Sequence, residues 1–149
     1  MEILIKNLKE AKKFFKNLKN KIISKRIVLL IGNLGAGKTT YAQLIAKEFK
    51  IKEPLQSPTF ILWQKYEFKF KNRKFYLNHL DLYRINKPQE ILKLDLKNEL
   101  KKKENIFLIE WGEKIEKYLK RKKIKFLKVE IKILNKNQRL LELNESSFN

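Results

Sequence analysis

The sequence has no cysteine, which excludes disulfides and metal sites built from thiolates. It also has few prolines and glycines, three and four respectively, and a single histidine. No apolar run approaches the roughly 18 residues that a membrane span needs. The first residues show neither the apolar core nor the small-residue cleavage site of a signal peptide. These absences predict a cytoplasmic protein that does not bind membranes.

Hydrophobic residues make up 43% of the 149 residues and aromatic residues 11%, which excludes a disordered chain. A chain of this length can bury a substantial core, and we expect a single domain over residues 1–149.

The net charge of +20 has two possible explanations. A basic surface attracts nucleic-acid phosphates, but a lysine-rich composition with a merely solvated surface gives the same charge. Arginine, which phosphate and base recognition usually favour, occurs only five times. The charge is concentrated in residues 97–103 and 114–128. Under either explanation it favours anionic ligands.

Residues 32–39 read G-x-x-x-x-G-K-T, the P-loop pattern, and contain three of the four glycines. They follow the apolar run 27–31 and precede a helix-like segment, the context that this motif requires. Such a loop cradles phosphates with backbone N–H groups, while Lys38 reaches the phosphates and Thr39 ligates Mg²⁺. A helix-capping loop is the alternative, but it does not require three glycines at this spacing. The predicted nucleotide-binding residues here are Asn33, Leu34, Gly35, Ala36, Gly37, Lys38, Thr39 and Thr40.

Hydrophobic periodicity predicts helices and strands in alternation. The predicted helices are 7–20, 39–49, 88–92, 95–102 (with Asp95 as its cap) and 113–119. The predicted strands are 2–5, 26–31, 60–70, 75–81, 105–110, 125–134 and 139–143. Polar breaks are expected at 20–25 and 53–59.

These elements predict an α/β fold of the P-loop NTPase type, with three α/β/α layers around a mixed sheet. The continuous apolar run 26–31 suits a central parallel strand that is covered on both faces. Short polar turns after residues 70 and 134 indicate antiparallel hairpins.

A P-loop needs a carboxylate at the C-terminal end of a neighbouring strand, where it holds Mg²⁺ or orients the attacking water. Glu110 ends the apolar run 106–109, the form of a Walker B strand with Glu in place of the usual Asp. Asp81 ends the strand that begins at Phe75. For either acid the alternative is a surface carboxylate or a helix cap.

Three further residues could have either a functional or a purely structural role. His79, the lone histidine, is more often a hydrogen-bonded structural group than a base when it lies on a strand. Trp111 could cover the nucleotide or fill the core. Thr59 could sense the γ-phosphate in a switch-like loop, or serve only in a turn.

Four motifs occur in a fixed order: the P-loop at 32–40, S-P-T-F at 57–60, H-L-D-L-Y-R at 79–84 and I-E-W at 109–111. Together they resemble the TsaE family, the bacterial ATPases of tRNA threonylcarbamoyladenosine synthesis. The P-loop is shared by very many proteins, whereas the other three motifs are much more specific. The resemblance spans about residues 8 to 118.

The resemblance implies a protein that binds ATP and Mg²⁺ and associates with the TsaB–TsaD heterodimer. Its ATP hydrolysis would support turnover of the complex that modifies adenosine 37 of tRNA, and the chain could lie near that tRNA. The residues it implies are Lys38 at the phosphates, Thr39 at Mg²⁺, Asp81 and Glu110 at the metal and attacking water, Thr59 in the switch-like loop, and Trp111 beside the nucleotide or partner.

A small P-loop kinase of a metabolite or nucleoside is the alternative function. A kinase needs an acceptor pocket and commonly an arginine-bearing lid. Here a hairpin follows the P-loop helix, and the middle of the chain offers only Arg73 and Arg84. A module that merely binds nucleic acid would not need Lys38 and Thr39 together with two acids. The sequence therefore favours a partner-dependent ATPase.

Overall fold

The computed structural model of the protein describes residues 1–53, 63–92 and 95–148. The helices in these ranges are α1 (Leu8–Asn17), α2 (Lys19–Lys25), α3 (Lys38–Glu48), α4 (Pro88–Leu92), α5 (Leu96–Glu99) and α6 (Glu113–Arg121). The strands are β1 (Glu2–Ile5), β2 (Ile27–Gly32), β3 (Trp63–Phe70), β4 (Arg73–Asp81), β5 (Asn105–Glu110), β6 (Leu127–Ile133) and β7 (Arg139–Glu145).

The strands form a mixed sheet in the order β1-β7-β6-β2-β5-β4-β3. β2 lies at its centre and pairs in parallel with β5 and β6, and β4 pairs in parallel with β5. β3 and β7 run antiparallel to their neighbours. The C-terminal ends of β2, β4 and β5 therefore meet at one edge of the sheet, which is where ligands bind in such folds.

Helices cover both faces of the sheet, as predicted. Along β2, Val28 and Leu30 belong to one core cluster, which also includes Phe15 of α1 and Ile45 of α3. The alternate residues of β2 pack into a second cluster with Ile91, Leu96 and Ile115 of α4, α5 and α6. Burial of consecutive side chains in opposite layers explains why β2 is apolar without interruption. The three-layer α/β/α architecture is confirmed.

The two predicted hairpins are also present. In the first, Lys71 and Asn72 have positive φ angles of 50° and 63°, and Phe70 pairs with Arg73. Two left-handed residues make a tight turn that matches the twist of the strands. β4 consequently begins at Arg73 and not at Phe75. In the second hairpin, Asn135 closes the turn by accepting bonds from two backbone N–H groups.

The predicted polar break at residues 20–25 is wrong, because α2 occupies it. Although this segment is rich in lysine, Ile22 is only 1% exposed and joins the core on the α1 and α3 side. Packing of this one face sustains a short helix. α2 ends at Lys25, because the φ of 67° at the next residue, Arg26, breaks the helical path.

Asp95 occupies the predicted N-cap position of α5, but the capping bond expected of its side chain is absent. Its φ is 64°, unlike the extended angle of a usual N-cap, and its carboxylate accepts a bond from the Asn98 side chain at 2.7 Å.

Residues 54–62 are not among the described residues. They include most of the expected loop at 53–59, the candidate Thr59 and the start of the strand expected at Phe60. Within the described part of the chain, no helix has the length and apolar character to cross a membrane.

Candidate functional site

The P-loop connects the end of β2 to the start of α3. Gly35 and Gly37 have φ angles of 80° and 107°, which residues with a side chain rarely adopt. A Cβ atom would meet nothing within 4 Å at either position, so the backbone angle and not the space requires glycine. α3 begins directly at Lys38, and the N–H groups of a first helical turn have no acceptor within the helix. The loop therefore offers donors for an anion.

Lys38 is 6% exposed and is held by the loop itself. Its Nζ donates to the carbonyl oxygens of Gly32 at 2.6 Å and Asn33 at 2.9 Å, and it lies 4.2 Å from the centre of a Trp111 ring. Burial lowers the pKa of Lys38, while the carboxylates of Glu110 and neighbouring acids oppose that shift. The arrangement fixes a cation at the mouth of the loop.

Glu110 connects the P-loop helix to the sheet. It is 2% exposed at the end of β5, and its Oε1 accepts a hydrogen bond from Thr39 Oγ1 at 2.7 Å. Its Oε2 lies 2.5 Å from Nε2 of His79, which is completely buried on β4. Nδ1 of His79 has no partner in the described chain. The lone histidine therefore holds the second oxygen of the predicted catalytic acid.

Asp81 lies on the strand beside Glu110, as its direct register partner. Its Oδ1 accepts a bond from the Tyr83 backbone N–H at 3.0 Å, which fixes the turn after β4. Burial raises the pKa of Asp81, and the Tyr83 bond opposes the rise. The two predicted acids are thus neighbours at the C-terminal edge of the sheet.

Trp111 lies beside the P-loop lysine and is partly buried against the α4–α6 core. Its ring is 5.0 Å from the ring of Tyr83. Lys114 holds the Tyr83 turn in place by donating to the carbonyl oxygens of Tyr83 at 2.6 Å and Ile85 at 2.8 Å. Trp111 therefore both packs on the core and lines the site.

A cavity of about 490 Å³ adjoins the other side of the P-loop. It lies between the β1–α1 connection and the β6–β7 turn, and Gly37, Thr40 and Tyr41 form part of its wall. Arg139 joins these parts, because its Nε donates to the Ala36 carbonyl at 2.9 Å and its Nη1 to that of Asn135 at 2.8 Å. Arg139 thus connects the far wall of the cavity to the P-loop.

The sequence did not point to three of these contributions. Arg139 lies 103 residues from the carbonyl that it contacts, so no local pattern marks it. Glu113, at the start of α6, stabilises the charged form of Lys38. The role of His79 depends on the parallel pairing of β4 with β5. The H-L-D-L-Y-R motif contains that histidine but does not reveal its contact.

The oxygen atoms at this edge suit Mg²⁺ better than a transition metal. Among the described residues, no group of three or more His, Cys, Asp or Glu side chains could hold a metal by itself. Mg²⁺ usually takes only one or two carboxylates and completes its shell with phosphates and water. The Thr39 hydroxyl and the adjoining Glu110 carboxylate fit that requirement, with Asp81 on the next strand.

Residues 5–141 match the family model "Threonylcarbamoyl adenosine biosynthesis protein TsaE". The Rickettsia prowazekii tRNA threonylcarbamoyladenosine biosynthesis protein TsaE is 39% identical over 141 residues, or 94% of this chain and 92% of the relative. The protein of the same name from Nostoc is 44% identical over 92 residues, or 60% of this chain and 54% of the relative.

The solved structure of YdiB from Bacillus subtilis covers 98% of this chain and 84% of its own, with a TM-score of 0.59 and 20% identity. That likeness supports the α/β fold. The extent of the family match and the identity to the full-length relatives together show that this chain belongs to the TsaE family.

Proposed function

We propose that this protein is a Mg²⁺-dependent ATPase that supports threonylcarbamoyladenosine synthesis at position 37 of tRNA. The contact that carries the proposal is the 2.7 Å hydrogen bond from Thr39 to Glu110, which joins the P-loop to the acid of the neighbouring strand. The names of the relatives supply the tRNA modification. The whole chain, residues 1–149, would form one ATPase domain in the cytoplasm.

The phosphates would bind at the loop and at the N-terminus of α3. Backbone N–H groups of the loop would surround the anion, and Lys38, which the loop already holds in place, would add a positive charge. The residues proposed to contact the nucleotide are Asn33, Leu34, Gly35, Ala36, Gly37, Lys38, Thr39, Thr40, Thr59 and Trp111.

The nucleoside part of ATP would extend into the cavity beside Gly37 and Thr40. Its volume of about 490 Å³ lies in the usual range for small-molecule pockets. Arg139 supports this assignment because it ties the P-loop to the β6–β7 turn that forms the far wall. The cavity and the phosphate site would then form one continuous binding surface.

Glu110 would be the principal acid of the reaction. Its contact with Thr39 suits a shared role in holding Mg²⁺, and its carboxylate also suits orientation of the attacking water. Asp81, on the adjacent strand, would provide the second acid. Bound Mg²⁺ would neutralise charge on the phosphates. His79 keeps Glu110 in place from the opposite side.

The proposed partner is the TsaB–TsaD heterodimer, which family membership supports. We expect the isolated chain to hydrolyse ATP slowly and the addition of TsaB–TsaD to raise the rate. The test is ATP turnover with and without the heterodimer, with an added nucleoside as a possible phosphate acceptor. If the heterodimer has no effect and the nucleoside is phosphorylated, the protein is a kinase and the proposal fails.

A further inference from the structure

A second charged pocket lies at the edge of the sheet opposite the P-loop. It has a volume of about 500 Å³ and is formed where β2, β5 and β6 begin. The P-loop follows the other end of β2, a strand of six residues, so the two sites are separated by roughly 20 Å. The pocket is therefore no part of the ATP site.

The lining of this pocket is strongly basic. Of its twelve residues, seven are lysine or arginine and none is acidic. Six of the seven come in pairs from three segments: Lys25 and Arg26 at the end of α2, Lys97 and Lys101 around α5, and Lys122 and Lys125 after α6. We call these six residues the amino-edge patch.

The fold brings together basic segments that are distant in sequence. The runs 97–103 and 114–128 both contribute to the patch, and the end of α2 adds a third basic segment. If the excess of lysine were purely compositional, lysines would be distributed over the whole surface and would not collect around one pocket. The convergence at one edge concentrates positive potential there.

Most charges in the patch are not neutralised within the described chain. Lys25 has an ion pair, with Glu145 at 3.5 Å, whereas the other five patch residues have none among the described residues. Two half-buried acids near the patch, Glu99 and Glu116, are paired with lysines outside it. Glu99 pairs with Lys65 and Lys102, and Lys102 is the main cause that lowers the pKa of Glu99 to about 2.

Glu116 is similarly engaged, with Lys120 at 3.1 Å and Lys128 at 3.0 Å. Leu100, Tyr118 and Ile124 give the pocket an apolar floor beneath the charges. The patch thus combines four exposed lysines and two half-buried cations with a surface against which sugar or base could pack. Such a combination suits a nucleic acid.

We propose that the amino-edge patch binds the phosphate backbone of RNA. Lysine provides point charges without the directional fork of arginine, which suits contact with successive phosphates irrespective of sequence. The relatives' names place the family in tRNA modification, so RNA is the polyanion that such a protein meets. The patch is separate from the ATPase site, so either proposal can fail without the other.

The test measures binding of a labelled, unmodified tRNA transcript to the full chain over a range of salt concentrations. The patch variant carries Lys97→Gln, Lys101→Gln, Lys122→Gln and Lys125→Gln. The matched control carries four glutamines in place of exposed lysines on α1, at Lys9, Lys12, Lys13 and Lys16. Both variants lose four positive charges, so they differ only in where those charges lie.

We expect the patch variant to bind tRNA on the order of tenfold more weakly at about 0.1 M salt, and the control less than about threefold more weakly. The slope of log affinity against log salt should shrink by about 0.7 to 0.9 for each lost phosphate contact in the patch variant. The patch variant should keep the unfolding temperature and ATP turnover of the unsubstituted protein.

Three results would overturn this inference. Equal weakening in both variants would mean that total charge, and not the patch, attracts RNA. Absence of measurable tRNA binding by the unsubstituted protein would remove the premise. Polyglutamate binding more tightly than tRNA would assign the patch to an acidic polypeptide.

Discussion

Replacement of Glu110 separates its chemical role from its structural role. Its carboxylate accepts from Thr39 at 2.7 Å and contacts buried His79 at 2.5 Å. Glu110→Ala removes both contacts and leaves a cavity. Glu110→Gln keeps the volume of the side chain and an oxygen that can accept the bond from Thr39. The comparison of these two variants isolates the carboxylate charge.

The expected loss of stability follows from the contacts. A buried polar group without a partner costs about 1–3 kcal/mol, and breaking a buried pair costs about 3–5 kcal/mol. We expect Glu110→Ala to lower the free energy of unfolding by about 3 kcal/mol, which lowers the melting temperature by about 6–12 °C for a chain of this size. Glu110→Gln should cost about 1 kcal/mol, or about 2–4 °C.

Both variants should lose hydrolysis by about a hundredfold or more, since a positioned acid or base contributes that much to catalysis. Their ATP dissociation constants should change less than about tenfold, because the P-loop is intact. Calorimetry, binding of a fluorescent ATP analogue and steady-state turnover measure the three quantities. Normal ATP hydrolysis by Glu110→Gln would exclude the carboxylate from catalysis, and a melting temperature of Glu110→Ala no lower than that of Glu110→Gln would exclude the proposed structural role.

Three other substitutions test neighbouring contacts. Thr39→Ala should reduce ATP turnover about a hundredfold, and Thr39→Ser, which keeps a hydroxyl, should restore it; turnover is measured over a range of Mg²⁺ concentrations. If Thr39→Ala turns over ATP as fast as the unsubstituted protein, the hydroxyl is not part of the site. Asp81→Asn can still accept the Tyr83 N–H bond, so turnover should fall with little change in melting temperature; a large loss of stability instead would make Asp81 structural. Arg139→Gln should weaken ATP binding about five- to tenfold by releasing the P-loop from the β6–β7 turn, and unchanged affinity in a titration would contradict that brace.

Local patterns predicted most of the fold. The apolar run of β2, the P-loop after it and the helix that begins at Lys38 are encoded within about twenty consecutive residues, so they could be recognised without tertiary information. The two hairpins are also predictable from local sequence, because each has a short polar turn. The helix at Lys19–Lys25 was missed because its polar composition resembles a loop and its stability comes from burial of Ile22.

The site was predictable only in part, because its contacts depend on strand register. Placement of Glu110 and Asp81 as neighbours requires the parallel alignment of β4 with β5, which no motif specifies. The bond from His79 to Glu110 follows from the same alignment. Arg139 reaches the P-loop from β7, the last strand of the chain, and long-range contacts of this kind leave no local pattern.

The proposed ATPase activity is tested most directly by Mg²⁺-dependent ATP turnover of the unsubstituted protein and of Lys38→Ala, both in the presence of TsaB–TsaD. Lys38 places its positive charge at the mouth of the loop, held by the carbonyls of Gly32 and Asn33, so its removal should abolish turnover. Turnover by the unsubstituted protein should stop when Mg²⁺ is chelated, and Lys38→Ala should show no turnover. Retained turnover by Lys38→Ala, or turnover that continues without Mg²⁺, would contradict the proposal.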